Sequence, residues 1–147
     1  MDYGKVLNQY NRSKIETAGK LDLIIMCYER TIQLLTQIKD HIREKESEKK
    51  IYKVKKVLDI INELQGCLNM EKGGQIARNL DSLYTYITKR LLVGDIRKDI
   101  TAYDEALRIL SELNEAWQTI KSEDDQQEDR YIGRDMSETA SQNIVVY

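Results

Sequence analysis

Not one of the 147 residues is proline, and apolar residues recur at three- and four-residue steps along most of the chain. Proline breaks helices more firmly than any other residue, and the β-branched residues here are not gathered into the alternating runs a strand needs. Both observations favour helix over sheet. The period is cleanest from Met70 to Gly94, MEKGGQIARNLDSLYTYITKRLLVG, which opens on Gly73 and Gly74 and closes on Gly94. Within it Ile76, Leu80, Leu83, Tyr84, Ile87 and Leu91 fall inside about 100° of arc, one stripe that seats a helix on a core. Asn79, Tyr86 and Val93 lie roughly 100–140° from Leu80, where a helix packed on one side only should carry plain charge. This helix therefore offers two surfaces, one to its own bundle and one, mixed apolar and polar, to something else.

Three further segments share the period. Leu21 to about Glu44 carries Leu21, Ile24, Ile25, Tyr28, Ile32, Leu35, Ile38 and Ile42 on one face. Leu23, Met26 and Cys27 make its first turns apolar nearly all round, so that end is either central in a bundle or partly reserved for a ligand. The charged run REKESEKK (43–50) is the first turn of the bundle. Ile51 to Leu68 follows, with Val54, Val57, Leu58, Ile61, Leu64 and Leu68 inward. Gly66 marks either a close backbone approach or a fraying end. After Gly94 a brief Asp-Ile-Arg-Lys turn leads into a fourth helix, Asp99 to about Lys121. Its inner face is Tyr103, Ala106, Leu107, Leu110, Leu113 and Trp117, and Ala102, Ile109, Ala116 and Ile120 form a less polar flank. Connections this short make consecutive helices antiparallel neighbours. The expected fold is all-α, an antiparallel up-and-down four-helix bundle.

The two ends differ from this middle. Tyr3, Val6, Leu7 and Tyr10 share a face if helical, but so short a helix needs a groove to lie in. They form either a permanently packed N-terminal turn or a displaceable lid over a partner's site. Thr17 is a candidate N-cap for the first long helix. Past Ser122 the acidic run of Glu123, Asp124, Asp125, Glu128 and Asp129 has almost nothing to bury and reads as a mobile tail. Its apolar end, Ile144 to Tyr147, is either unstructured or docked on an apolar surface. Residues 1–121 thus form the helical domain and 122–147 the tail.

Composition excludes more than it specifies. A formal net charge of −2 gives a nucleic-acid partner no general electrostatic support. No apolar run reaches the roughly 20 residues needed to cross a bilayer, and the N-terminus lacks a signal-peptide core, so a cytoplasmic protein without membrane insertion is expected. Cys27 and Cys67 sit inside helical apolar patterns and read as two buried free thiols. His41, the single histidine, lies in the charged end of the first helix and reads as a surface residue. No Glu-x-x-His pair, zinc-ligand spacing or phosphate-cradling glycine pattern is present, so neither metal nor cofactor is expected. Lysines 49, 50, 53, 55 and 56, with Glu44, Glu46 and Glu48 beside them, read as a solvated helix face. Nothing supports an enzyme, and the chain reads as a binding protein.

Tyr10, Ile15-Glu-Thr-Ala18 and Leu23-Ile-Ile-Met-Cys-Tyr28 carry a family likeness that continues in Gly73-Gly-Gln-Ile-Ala-Arg-Asn-Leu80, Leu83-Tyr-Thr-Tyr86 and Leu113-Asn-Glu-Ala-Trp117. In order and spacing, from Tyr3 to Lys121, the chain resembles the FliS-type flagellar secretion chaperones. It departs in having Lys20 where the family usually has proline and Cys27 where it usually has leucine. The resemblance implies a four-helix bundle that binds the disordered C-terminal segment of flagellin, blocks premature polymerisation and presents the subunit to a component of the flagellar export gate. It also implies that the N-terminal segment can lie over part of the same surface.

A disordered client cannot bury its apolar residues alone, and shallow tracks between two-sided helices supply that burial. The candidate flagellin-binding residues are Leu23, Ile24, Met26 and Cys27 from the first helix and Asn79, Ser82, Tyr86 and Val93 from the third. Ile109, Ala116 and Ile120 complete them from the fourth. Each is alternatively ordinary core or loose packing. The competing expectation is a bundle that self-associates through the same stripes, with no flagellin client. The free protein is expected to be a monomer or weak dimer.

Overall fold

The structure, a computed structural model, describes residues 19–130. Four helices account for nearly all of them: α1 (Gly19–Arg43), α2 (Ser47–Gly66), α3 (Gly74–Arg97) and α4 (Ile100–Arg130). Both α1 and α3 pack on α2 and on α4, so the helices follow one another round an antiparallel bundle in chain order. Tyr3, Val6, Leu7 and Tyr10, the Thr17 cap and the end from Ile144 lie outside the described residues.

Two helix ends turn on the same device. Lys45 and Lys98 adopt left-handed conformations, with φ of 59° and 56°. After each, the next amide reaches back to a carbonyl of the last turn, Glu46 N to His41 O at 2.8 Å and Asp99 N to Gly94 O at 2.9 Å. These are Schellman closures with lysine in the place usually held by glycine. The third helix therefore runs through Gly94, and the supposed Asp-Ile-Arg-Lys turn is its last helical turn followed by Lys98. Gly94 is buried because α4 crosses it: a Cβ there would stand 2.3 Å from that of Ala102. At the start of α4 the Asp99 carboxylate accepts the Thr101 amide at 3.0 Å and its hydroxyl at 2.6 Å, a side-chain N-cap.

The chain has no phenylalanine, and its largest fully buried side chains are Tyr28, Tyr84 and Tyr103. A buried phenol needs a partner for its hydroxyl. Tyr28 and Tyr84 hydrogen-bond to each other across the diagonal from α1 to α3, and the Trp117 ring lies 6.2 Å from that of Tyr28. Tyr103 donates to Asp95 Oδ1 at 3.2 Å, and the same carboxylate takes Lys50 at 2.8 Å. Burial raises all three phenols above their ordinary values, so they stay neutral in the core.

Several expectations need correction. Ile76, assigned to the inner stripe, is exposed, whereas Ala102, assigned to an outer flank, is completely buried. Leu34, Ile60 and Ala77 join the core unanticipated. Cys27 is buried, its thiol pushed up to about 11 first by burial and then by nearby Cys67 and Glu63, but Cys67 is exposed. Nothing approaches Gly66, which lies at the end of α2. His41 is no mere surface group. The Lys53 ammonium donates to its Nε2 at 2.8 Å, which leaves Nδ1–H for Glu46 at 3.1 Å and clasps α1 to α2. The fourth helix continues through the first acidic residues to Arg130.

Among the described residues no helix is long and apolar enough to cross a membrane, and no group of three or more His, Cys, Asp or Glu side chains is placed to hold a metal.

Candidate functional site

Among the described residues, the polar ties between the facing flanks of α3 and α4 lie at one end only. There Gly94 meets Ala102, Arg90 Nε donates to Glu105 Oε2 at 3.0 Å, and the Tyr86 hydroxyl donates to the other oxygen of Glu105. Arg90 also reaches Asp99 and Thr101. Carried on at about 1.5 Å per residue along two antiparallel helices, this register brings Leu83 level with Leu113, Asn79 with Ala116 and Ile76 with Ile120. The result is a seam that leaves the polar cluster at Glu105 and runs to the start of α3, level with Ile120 of α4.

The chemistry of the seam is mixed. Leu83, Ile109 and Leu113 form its floor, partly buried and packed on the core. Tyr86 (44% exposed), Ile76 (47%) and Ile120 (41%) form its walls, and exposed apolar side chains aligned on one track, unlike scattered ones, mark a candidate contact surface. Ala116 and Asn79 are exposed beside them. Gln75 donates to Asn79 Oδ1 at 2.7 Å, which leaves the Asn79 amide nitrogen with no acceptor among the described residues. At the closed end the Tyr86 hydroxyl, and after it Arg90, hold the Glu105 carboxyl below the usual carboxylate range. The Thr101 donors, with Arg90 behind them, do the same for Asp99.

Tyr86, Asn79, Ile109, Ala116 and Ile120 thus come together along one seam, although α3 and α4 contribute them separately. Val93 is 42% exposed at its closed end, and Ser82 is exposed on the outer side of α3. The α1 residues do not join them. Ile24 and Cys27 are core residues. Leu23 and Met26 are half-buried and lie roughly 140–160° round α1 from the inward Tyr28, on its outer face. α1 meets α4 through other residues, Asp22, Glu29 and Lys39. Ile76 was missed because it falls on the inner stripe by period, yet it is 47% exposed in the first turn of α3. A second exposed group, Ile51, Tyr52, Leu92 and Ile96, left no trace in the period of any one helix.

A helical bundle with an elongated, half-apolar seam has the form expected of a protein that holds another polypeptide. Residues 3–124 match the family model described as flagellar protein FliS. The chain is similar to the flagellar secretion chaperone FliS of Salmonella typhimurium, 34% identical over 119 residues that cover 80% of this chain and 88% of that one. It is 32% identical to the FliS of Vibrio cholerae over 111 residues, 76% of this chain and 82% of the relative. With FliSB of Pseudomonas aeruginosa it shares 29% over 120 residues, 79% and 95% of the two chains. The chain belongs to the FliS family of flagellar secretion chaperones.

Proposed function

We propose that this protein is a cytoplasmic export chaperone that takes the disordered C-terminal segment of flagellin along the α3/α4 seam. Occupied there, the segment is withheld from premature polymerisation and the subunit is kept fit for delivery to the flagellar type III export apparatus. The supporting observation is the exposure of Tyr86, Ile76 and Ile120 along one track, within a family of flagellar secretion chaperones. A client strand loses conformational entropy on binding, and burial along a long track offsets that loss without any deep pocket. The free amide nitrogen of Asn79 is placed to donate to a backbone carbonyl of the guest. Leu23 and Met26, on a different face, enter only if the client wraps round the bundle.

The test is isothermal titration with a flagellin C-terminal peptide, expected to give a one-to-one complex of roughly micromolar Kd or tighter, about −8 kcal/mol. Tyr86→Asp and Ile109→Asp weaken it while the helical circular dichroism is retained. Absence of heat and of a gel-filtration shift refutes the reading. If the first twelve residues cover the seam, their removal tightens the complex; unchanged affinity assigns them a structural role.

A further inference from the structure

The end of the bundle formed by the start of α2 and the end of α3 carries exposed apolar surface that the proposed client seam does not use. Ile51 is 57% exposed, Tyr52 50%, Leu92 47% and Ile96 81%. Ile51, Leu92 and Ile96 come from two helices but meet in one place, with Tyr52 about 100° further round α2. Gln65 Nε2 donates to Asp81 Oδ1 and to Thr85 Oγ1, both at 2.9 Å, and Lys50 lies 2.8 Å from Asp95, which together set the α2/α3 register. Steps of seven back from Gln65 reach Leu58 and Ile51 on the flank of α2 that faces α3. Steps of three and four onward from Thr85 reach Thr88, Leu92 and Ile96 on the α3 flank that faces α2. In this register Ile51 is level with Ile96, and Lys55 with Leu92. Tyr86 and the client seam are on the other side of α3.

Round this patch Lys50 and Lys49 are paired with Asp95 and Glu46, but the cations beyond them outnumber the carboxylates they could meet. Several cations elsewhere meet carboxylates, Lys39 with Asp104, Lys121 with Asp22, Arg90 with Glu105 and Arg108 with Glu112, although Lys72 and Arg78 do not. Here Lys45, Lys55, Arg97 and Lys98 make no ion pair with a described residue, and Lys56 lies 4.3 Å from the centre of the Tyr52 ring rather than beside a carboxylate. Between the two end loops is a cavity of about 410 Å³ lined by Lys45, Lys50 and Lys98 with His41 and Ser47, and no carboxylate lines it. Apolar side chains ringed by unpaired cations are complementary to apolar side chains ringed by anions.

We propose that this end of the bundle is a second docking surface, for an acidic amphipathic segment of a partner protein. The partner's apolar residues lie on Ile51, Leu92 and Ile96, and its carboxylates lie among Lys45, Lys55, Arg97 and Lys98. Because the rim is electrostatic and solvent-exposed, binding weakens as salt is raised. The inference does not depend on flagellin occupying the other seam.

The test titrates the full chain, isotopically labelled for NMR, with a synthetic amphipathic helix bearing leucine on one face and glutamate on the other. A counterpart with lysine in place of glutamate serves as the control. The acidic peptide is expected to shift the resonances of Ile51, Tyr52, Leu92 and Ile96 and to leave a bound flagellin peptide in place. Ile96→Asp or Lys55→Glu should weaken it about tenfold or more; both positions are exposed, and two variants guard against a folding failure in either. Failure to bind, or equal binding of the counterpart, overturns the proposal. So does displacement by the flagellin peptide, which would put the probe in the client seam. Binding only after residues 131–147 are removed would overturn it in favour of the chain's own C-terminal residues. A dimer dispersed by Ile96→Asp would do so in favour of a second copy.

Discussion

α4 has one flank against α1 and another against α3, and the two seams differ although both flanks alternate apolar and charged residues. Against α1 it is tied along its length: Lys39 to Asp104 at 2.5 Å, Gln118 to Glu29 at 3.2 Å and Lys121 to Asp22 at 2.5 Å. Trp117 closes that seam from inside, against the ring of Tyr28. Against α3 the polar ties gather at one end, round Glu105 and Gly94, and among the described residues none lies beyond them toward Ile76 and Ile120. Apolar content alone therefore does not decide whether two helices close on each other. The two seams differ instead in where their polar ties fall, spread along one and gathered at one end of the other.

The largest break is expected on the closed side. Trp117→Ala removes a buried ring beneath the α1/α4 seam and should cost about 3–5 kcal/mol in denaturant unfolding. Ile120→Ala on the open seam should change stability by less than about 1 kcal/mol while weakening flagellin-peptide binding. Equal losses at the two positions would mean that the seams are equivalent. Next comes Gly94→Ala, which drives a Cβ into Ala102 at the one tied point of the open seam. Overpacking of about 1–3 kcal/mol should outweigh the gain in helix propensity and lower the melting temperature. A rise in melting temperature would show that this crossing has slack.

A smaller effect of opposite sign is expected at the turn beside it. Lys98→Gly relieves a left-handed residue and should stabilise the bundle by about 0.5–1 kcal/mol, after the greater freedom of glycine in the unfolded chain is deducted. The smallest effect is a pH dependence. Glu105 titrates below its ordinary value of 4.5 in the folded state, chiefly through the Tyr86 hydroxyl, so the folded protein holds that proton less tightly than the unfolded chain does. Its contribution is complete above pH 4.5 and disappears as the pH falls through the lower folded value. Stability curves of the parent and Glu105→Gln should differ at neutral pH and converge in acid. Parallel curves would mean that the cluster at the closed end does not tie the helices.

Much of the core was legible because it obeys a period. Leu80, Tyr84, Ile87 and Leu91 are inward in the structure as their spacing requires, and so are Tyr103, Leu110 and Trp117. The exposure of Tyr86 and Ile120 was foreshadowed by their distance from those stripes. Where spacing misled, a neighbouring helix was responsible. Gly94 looks like a terminus until α4 crosses it. Ala102 looks like an outer flank until the same crossing buries it. The lysine run of α2 looks like plain solvated surface until α3 brings Leu92 and Ile96 beside it.

By itself, then, the chain determined that it would be helical, how many helices it would make and which stripe of each would turn inward, because those follow from local geometry and the burial of apolar area. Which neighbours meet, where a seam closes and where it stays open were decided by the tertiary structure. They depend on contacts such as Arg90 with Glu105, Lys50 with Asp95 and Gly94 with Ala102, whose members lie on different helices and share no periodicity that a single strand of sequence could display.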